Sequence, residues 1–171
     1  MRERSQIIRG MLLWTGITLF GIGAFAAATL NAGPVTSPEI TEKNSGELLW
    51  SEDFEKASAL AKTEKKPLLM YFTGSDWCGW CKKLHAEVLD RPEFSQWAGK
   101  NVVLFKADFP EELAQSQTIK DQNNQLARKY RISGFPTVIL ADADGKVIAR
   151  TGYKPGGAAA YVKHLQALLK K

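Results

Sequence analysis

The sequence holds two cysteines in 171 residues, and they stand three positions apart in Cys78-Gly79-Trp80-Cys81. A cysteine attacks a disulfide only as its thiolate, and a free thiol, with a pKa of about 8.5, is mostly protonated at neutral pH. Placing the nucleophile at a helix N-terminus remedies this, because unpaired N–H groups and roughly half a positive charge there favour the anion. Cys78 falls at such a place: the turn Thr73-Gly74-Ser75-Asp76 precedes it, and Lys82, Lys83, Leu84 and Val88 continue a helical pattern. Cys81 follows one turn later, close enough to close a small disulfide ring and directed more toward the core. The roles follow: Cys78 attacks a substrate disulfide and Cys81 resolves the mixed disulfide. Trp77 and Trp80 form an apolar rim on which an unfolded peptide can lie. Core packing is an equal alternative for Trp77, whereas Trp80, wedged between the cysteines, is expected to be exposed.

Gly134-Phe135-Pro136-Thr137 is the second informative site. A proline directly before an apolar strand lacks the ladder donor. A cis Phe135–Pro136 bond would solve this with a tight turn and leave neighbouring backbone groups free.

The elements that must hold these residues alternate between helix and strand. Ser51 is expected to cap a helix whose inner face carries Phe54, Ala57, Leu60 and Ala61, and Pro67 stops it. Leu68-Leu69-Met70-Tyr71-Phe72 suits a buried central strand. The cysteine helix follows, then a short helical piece opened by Pro92 with Phe94 and Trp97, and a strand at 102–105. Residues 109–118 are polar and read as a loop, and 121–130 as a helix with Leu126 and Ala127 facing in. Strands at 137–140 and 147–149 flank a hairpin turn in which Gly145 supplies the positive φ. Residues 158–169 close the chain as an amphipathic helix with Tyr161, Val162, Leu165, Leu168 and Leu169 as its apolar set. This order describes an α/β domain, a mixed sheet with helices on both faces.

Ahead of that domain, residues 1–10 carry three arginines and residues 11–30 carry no charge. A basic start, an apolar stretch and small residues after it make an export signal. Ala26-Ala27-Ala28 offers a cleavage site and Leu30-Asn31-Ala32 a weaker one. The stretch is also long enough to span a bilayer of about 30 Å as an uncleaved anchor. A signal peptide and an anchor both place the rest of the chain outside the cytoplasm, where disulfides form and persist. Residues 31–46, with two prolines and two glycines, read as a linker, so the domain is expected at 47–171. The net charge of +5 falls to +3 once Arg2, Arg4, Arg9 and Glu3 are set aside, too mild and scattered for nucleic acid. Hydrophobic residues make up 44% and charged residues 24%, ordinary for a globular domain.

Cys-x-x-Cys at a helix start after a strand, with Gly-Phe-Pro-Thr about fifty residues later and then strand, hairpin and helix, resembles the thioredoxin superfamily. The segment Gly74-Ser75-Asp76-Trp77-Cys78-Gly79-Trp80-Cys81-Lys82-Lys83-Leu84 is similar to the exported bacterial branch of DsbH-like periplasmic reductases. The resemblance implies a thioredoxin fold and a cis peptide at Pro136 lying against Cys78, where main chain pairs with a substrate strand. Trp77, Trp80, Phe135 and Pro136 then form the substrate surface. It also implies reduction of disulfides in exported proteins in the periplasm. A reductase there must be recharged outside the cytoplasm, which implies a membrane electron donor; a monomer with neither cofactor nor metal is expected. Thioredoxins relay the resolving cysteine's proton through a buried carboxylate at the end of the central strand. Here that region reads Met70-Tyr71-Phe72-Thr73, and Asp76 is the nearest carboxylate that can substitute. The dipeptide between the cysteines is Gly-Trp rather than Gly-Pro, and it lacks the histidine of strongly oxidising members.

Three other readings are open to the same residues. Cys78, Cys81 and His85 are three zinc ligands short of a fourth, since His164 is the only other histidine. A purely structural bridge in a binding module is disfavoured because so short a loop gains little from closure. An oxidase or isomerase uses the same dithiol. Isomerases of the superfamily typically add a dimerisation domain, for which residues 31–46 are too short.

Overall fold

The structure is a computed structural model, and it describes residues 48–170. The export segment at 1–30 and the linker at 31–46 lie outside the described residues. Among the described residues, no helix is long and apolar enough to cross a membrane.

In chain order the elements are β1 (Trp50–Ser51), α1 (Phe54–Glu64), β2 (Leu68–Thr73), α2 (Gly79–Leu84), a π-helical turn (His85–Leu89), α3 (Pro92–Asn101) and β3 (Val103–Asp108). Then come α4 (Gln117–Lys129), β4 (Thr137–Ala141), β5 (Val147–Thr151) and α5 (Gly157–Leu169). The sheet order is β1-β3-β2-β4-β5. β1 and β2 run parallel to β3, and β4 lies antiparallel to both β2 and β5. β2 is the central strand, and all six of its residues are buried. A strand covered on both faces has no polar side to show, which is why its sequence runs apolar from Leu68 to Phe72 before Thr73 ends it.

Side chains alternate across β2, so Leu69 and Tyr71 join one core and Leu68, Met70 and Phe72 the other. The first core lies under α2, the π-helical turn, α3 and α5, with Leu84, Val88, Phe94, Trp97, Tyr161 and Leu165. The second lies under α1 and α4, with Ala57, Ala61, Leu126 and Tyr130. In α5, Tyr161 and Leu165 are buried, and Val162, Leu168 and Leu169 pack at the margin.

Four expectations change. Ser51 does not cap α1: it pairs with Phe105 in β1, and its hydroxyl accepts from the Asp53 N–H, while the Asp53 carboxylate caps the helix at Lys56 N. Leu60 points outward rather than into the core. β3 runs on to Asp108, and α4 starts at Gln117, capped by Ser116. The first residue that α4 buries is an asparagine, Asn123, in its second turn, which donates to the Asp108 carbonyl at 2.8 Å. Finally, the cysteine helix stops being α after Leu84. The Asp90 N–H reaches the His85 carbonyl, one residue further back than an α-helix allows.

Candidate active site

β2 delivers the chain to the site. After Thr73, a turn closes with the Cys78 N–H on the Gly74 carbonyl at 2.8 Å, and α2 begins at Gly79 with Cys78 as its N-cap. Gly74 is required there by close approach: a Cβ on it would run into the Trp77 indole. Cys78 and Cys81 form a disulfide with Cα atoms 5.2 Å apart. The Cys81 N–H, shared with the Cys78 carbonyl at 3.0 Å, also points at the Cys78 sulfur from 3.2 Å, so an amide of the first helical turn is already aimed at the position of a thiolate. Both cysteines are buried, Cys81 completely and Cys78 with 6% of its surface exposed.

Aromatic side chains flank the pair in two groups. Trp77, 43% exposed, meets Phe135 edge to face at 5.7 Å, and Phe135 in turn lies 5.1 Å from Phe109. The Trp77 Nε1–H donates to the Phe109 carbonyl at 2.8 Å. The Phe135–Pro136 peptide is cis. Trp80, 58% exposed, packs instead on Tyr153 at 5.3 Å, with the Lys83 ammonium about equally distant from both rings. Sequence reasoning missed Phe109 and Tyr153. Each is a lone aromatic in a polar connection, without the periodicity that marks a packed element.

Asp76 has a different task from the expected proton relay. Its carboxylate accepts the N–H groups of Glu111, Glu112 and Leu113 at 2.8 to 3.1 Å. Desolvation pushes its pKa up, but those hydrogen bonds together outweigh it and hold the group below the usual aspartate range. Asp76 therefore stays ionised and fastens the loop behind Phe109 to the cysteine turn. The Lys82 ammonium donates to the Asp76 carbonyl at 2.6 Å and closes the same turn from the helix side.

Beneath the disulfide lies Tyr71. Its hydroxyl is 3.5 Å from the Cys81 carbonyl, and burial, aided by the negative charges of Asp108 and Asp90, pushes it up to about 12. It therefore keeps its proton. Among the described residues, no three His, Cys, Asp or Glu side chains gather to hold a metal ion, and His85 pairs with Asp90 at 3.3 Å.

Residues 54–168 match the family described as a thioredoxin-like domain. The chain is 39% identical over 123 residues to the disulfide bond reductase DsbH of Chlamydia pneumoniae, covering 72% of this chain and 74% of that protein. It is 33% identical over 110 residues to the thioredoxin-related protein DsbJ of the same organism, spanning 32% of that longer chain. A solved DsbH oxidoreductase structure superposes with a TM-score of 0.70 at 38% identity, covering 72% of this chain and 85% of that one. A thioredoxin from Thermus thermophilus, at 21% identity and a TM-score of 0.53, shares the fold. Sheet order, the placing of the cysteine pair at the start of α2 and these likenesses agree: the chain belongs to the thioredoxin-like family.

Proposed function

We propose that this protein is a thiol–disulfide oxidoreductase that reduces disulfides of exported proteins outside the cytoplasm. The observation that carries the reading is the unequal burial of a cysteine pair whose outer sulfur receives a helix-start N–H. The Cys78 thiolate attacks a substrate disulfide and forms a mixed disulfide, expelling one substrate thiolate. Cys81 then attacks Cys78, closing the Cys78–Cys81 bond and releasing the second substrate thiolate. The substrate is reduced by two electrons and the enzyme pair is oxidised. Trp77 with Phe135 on one side and Trp80 with Tyr153 on the other supply stacking walls for peptide, and the main chain around Pro136 supplies strand pairing.

The likeness to DsbH supports the reducing direction, and the arginine-led apolar segment 11–30 supports the location. A reductase placed there is recharged by a membrane-borne dithiol donor, and the chain acts as a monomer. The equilibrium reduction potential of Cys78–Cys81 tests the direction. Reference values are about −270 mV for thioredoxin, −180 mV for protein disulfide isomerase and −120 mV for DsbA. A value of roughly −230 to −280 mV on that scale supports the reductase; one near the two oxidising references makes the protein an oxidant or isomerase.

A further inference from the structure

The reaction above needs an acceptor for the Cys81 proton. A thiol attacks only as its thiolate and is mostly protonated at neutral pH, and Cys81 is fully buried. β2 brings no carboxylate to Cys81: its six residues are apolar or neutral. Asp76 is tied to the 111–113 amides. Asp108 accepts the Ser75 N–H at 3.0 Å from the end of β3.

On its helix side, however, Cys81 forms part of the wall of a cleft of about 330 Å³, together with Ser75, Lys82, His85, Ala86 and Asp90. A water molecule occupies about 30 Å³ of liquid, so the cleft has room for several. Two of its walls are built for proton handling. The Ser75 hydroxyl is buried and has no hydrogen-bond partner among the described residues. The His85 imidazole is held by its Nδ1 against Asp90 at 3.3 Å and by its face against the Tyr71 ring, 5.5 Å between centroids. With Nδ1 occupied, Nε2 is the nitrogen left to exchange a proton. His85 stands four residues after Cys81, one helical turn on, at the first residue of the π-helical turn.

We propose that His85, through water in this cleft and with the Ser75 hydroxyl in the chain, takes the proton of Cys81 in the resolving step. The inference rests on the assignment of Cys78 as nucleophile and Cys81 as resolving thiol. In the step, Cys81 S–H loses its proton to the cleft water as that water passes one to the imidazole. The new thiolate attacks the Cys78 sulfur, the Cys78–Cys81 bond forms, and the bond from Cys78 to the substrate sulfur breaks. The substrate leaves as a thiolate, and the imidazolium releases its proton to solvent at the cleft mouth. When a dithiol donor reduces the pair, the same path returns a proton to Cys81. The charged and titratable groups around the imidazole are Asp90 after its own turn, Lys82 on α2 and Tyr71 on β2. Tyr71 keeps its proton, and the Lys82 ammonium is engaged with the Asp76 carbonyl, so they leave the exchange to His85.

The test uses the reduced full-length protein and an aromatic disulfide reagent that releases a coloured thiolate. The first equivalent released reports Cys78 attack, and the second reports Cys81 attack on the mixed disulfide. In H85Q, the second release is expected to slow by about a hundredfold or more near neutral pH, as general-base loss predicts, with the first unchanged. The step in its pH–rate profile disappears, and added imidazole restores the rate in H85A. An unchanged second release in H85Q overturns the proposal. So does a slowed release that keeps the wild-type pH profile and ignores imidazole, because that pattern is structural. Failure of the wild-type protein to release two equivalents would sink the cysteine assignment itself, a result distinct from either.

Discussion

The Tyr153 hydroxyl donates to a Glu87 carboxylate oxygen at 2.6 Å, joining the π-helical turn to the connection between β5 and α5 across 66 positions of sequence. Tyr153 is also the ring on which Trp80 packs. One strut therefore sets the wall beside the cysteines, and Lys83 completes it by facing both rings and lying 3.8 Å from the other Glu87 oxygen. Replacing Tyr153 by Phe keeps the ring and removes the hydrogen bond. The expected result is a KM for a peptide disulfide raised a few-fold with kcat little changed, measured by steady-state kinetics.

The same strut has a pH signature. The hydrogen bond to Glu87, with desolvation and the Glu87 charge behind it, raises the Tyr153 pKa against the opposing effect of Lys83. A raised pKa on an acid that is neutral when protonated means the contact stabilises the protein fully below the ordinary tyrosine value of about 10. The contribution is lost as pH rises through the higher folded-state value. Tyrosinate absorbance, compared between wild type and Y153F, is expected to show Tyr153 ionising later than a free tyrosine; ionisation at or below the free value would contradict the strut.

Substituting the two cysteines separates their roles. C78S is expected to abolish reaction with protein disulfides. C81S is expected to accumulate a covalent adduct through Cys78, because nothing resolves it. Intact-mass analysis after mixing each variant with a disulfide-bonded protein reads both outcomes; adducts through Cys81 in C78S would reverse the assignment.

Gly74 and Trp77 are coupled by space alone. G74A drives its methyl into the indole, and relief by swinging Trp77 out breaks the hydrogen bond to the Phe109 carbonyl. Overpacking of this kind costs about 1–3 kcal/mol, read by denaturant unfolding. Adding W77A to G74A removes the clash, so the pair is expected to be non-additive.

Asp76 makes a prediction at the acid end. Because its folded-state pKa is depressed, its grip on the 111–113 amides is complete above the unfolded aspartate value near 3.9 and is lost as pH falls through the lower folded value. D76N is expected to speed hydrogen exchange at Glu111, Glu112 and Leu113 at neutral pH, while the wild-type amides stay protected at pH 5.

β2, the cysteine helix and the hairpin around Gly145 were legible in the sequence, because each has a local cause. These are an unbroken apolar run, a turn before a helical pattern, and a residue at φ +80°. β1 was not legible, since its two residues are fixed only by pairing with Leu104 and Phe105, more than fifty positions away. The start of α4 hid for a related reason: none of residues 117–120 is buried, and the inward residue after them, Asn123, is polar and satisfied by a carbonyl of β3, so no apolar stripe announces it. At the site, the closeness of Cys78 and Cys81 and the exposure of Trp80 were readable from spacing. The hold of Asp76 on the 111–113 amides was not legible, because those groups lie 35 to 37 residues on. Phe109 and Tyr153 join the rim only because the fold carries their loops there.

The π-helical turn leaves a mark on chain length. An Asp90 amide that reaches back five residues instead of four means the segment holds one residue more than an α-helix covering the same path. A homologue whose helix ran on as α would reach the start of α3 one residue sooner, and its gap belongs between Leu84 and Asp90. In α geometry each residue turns the helix by about 100°, so losing one ahead of Val88 would swing Val88 and Leu89 from the core unless the turn itself was the part removed. Among relatives, a shortening of one residue that removes the π turn is thus the cheap edit, and one made after His85 leaves that residue a single α turn from Cys81.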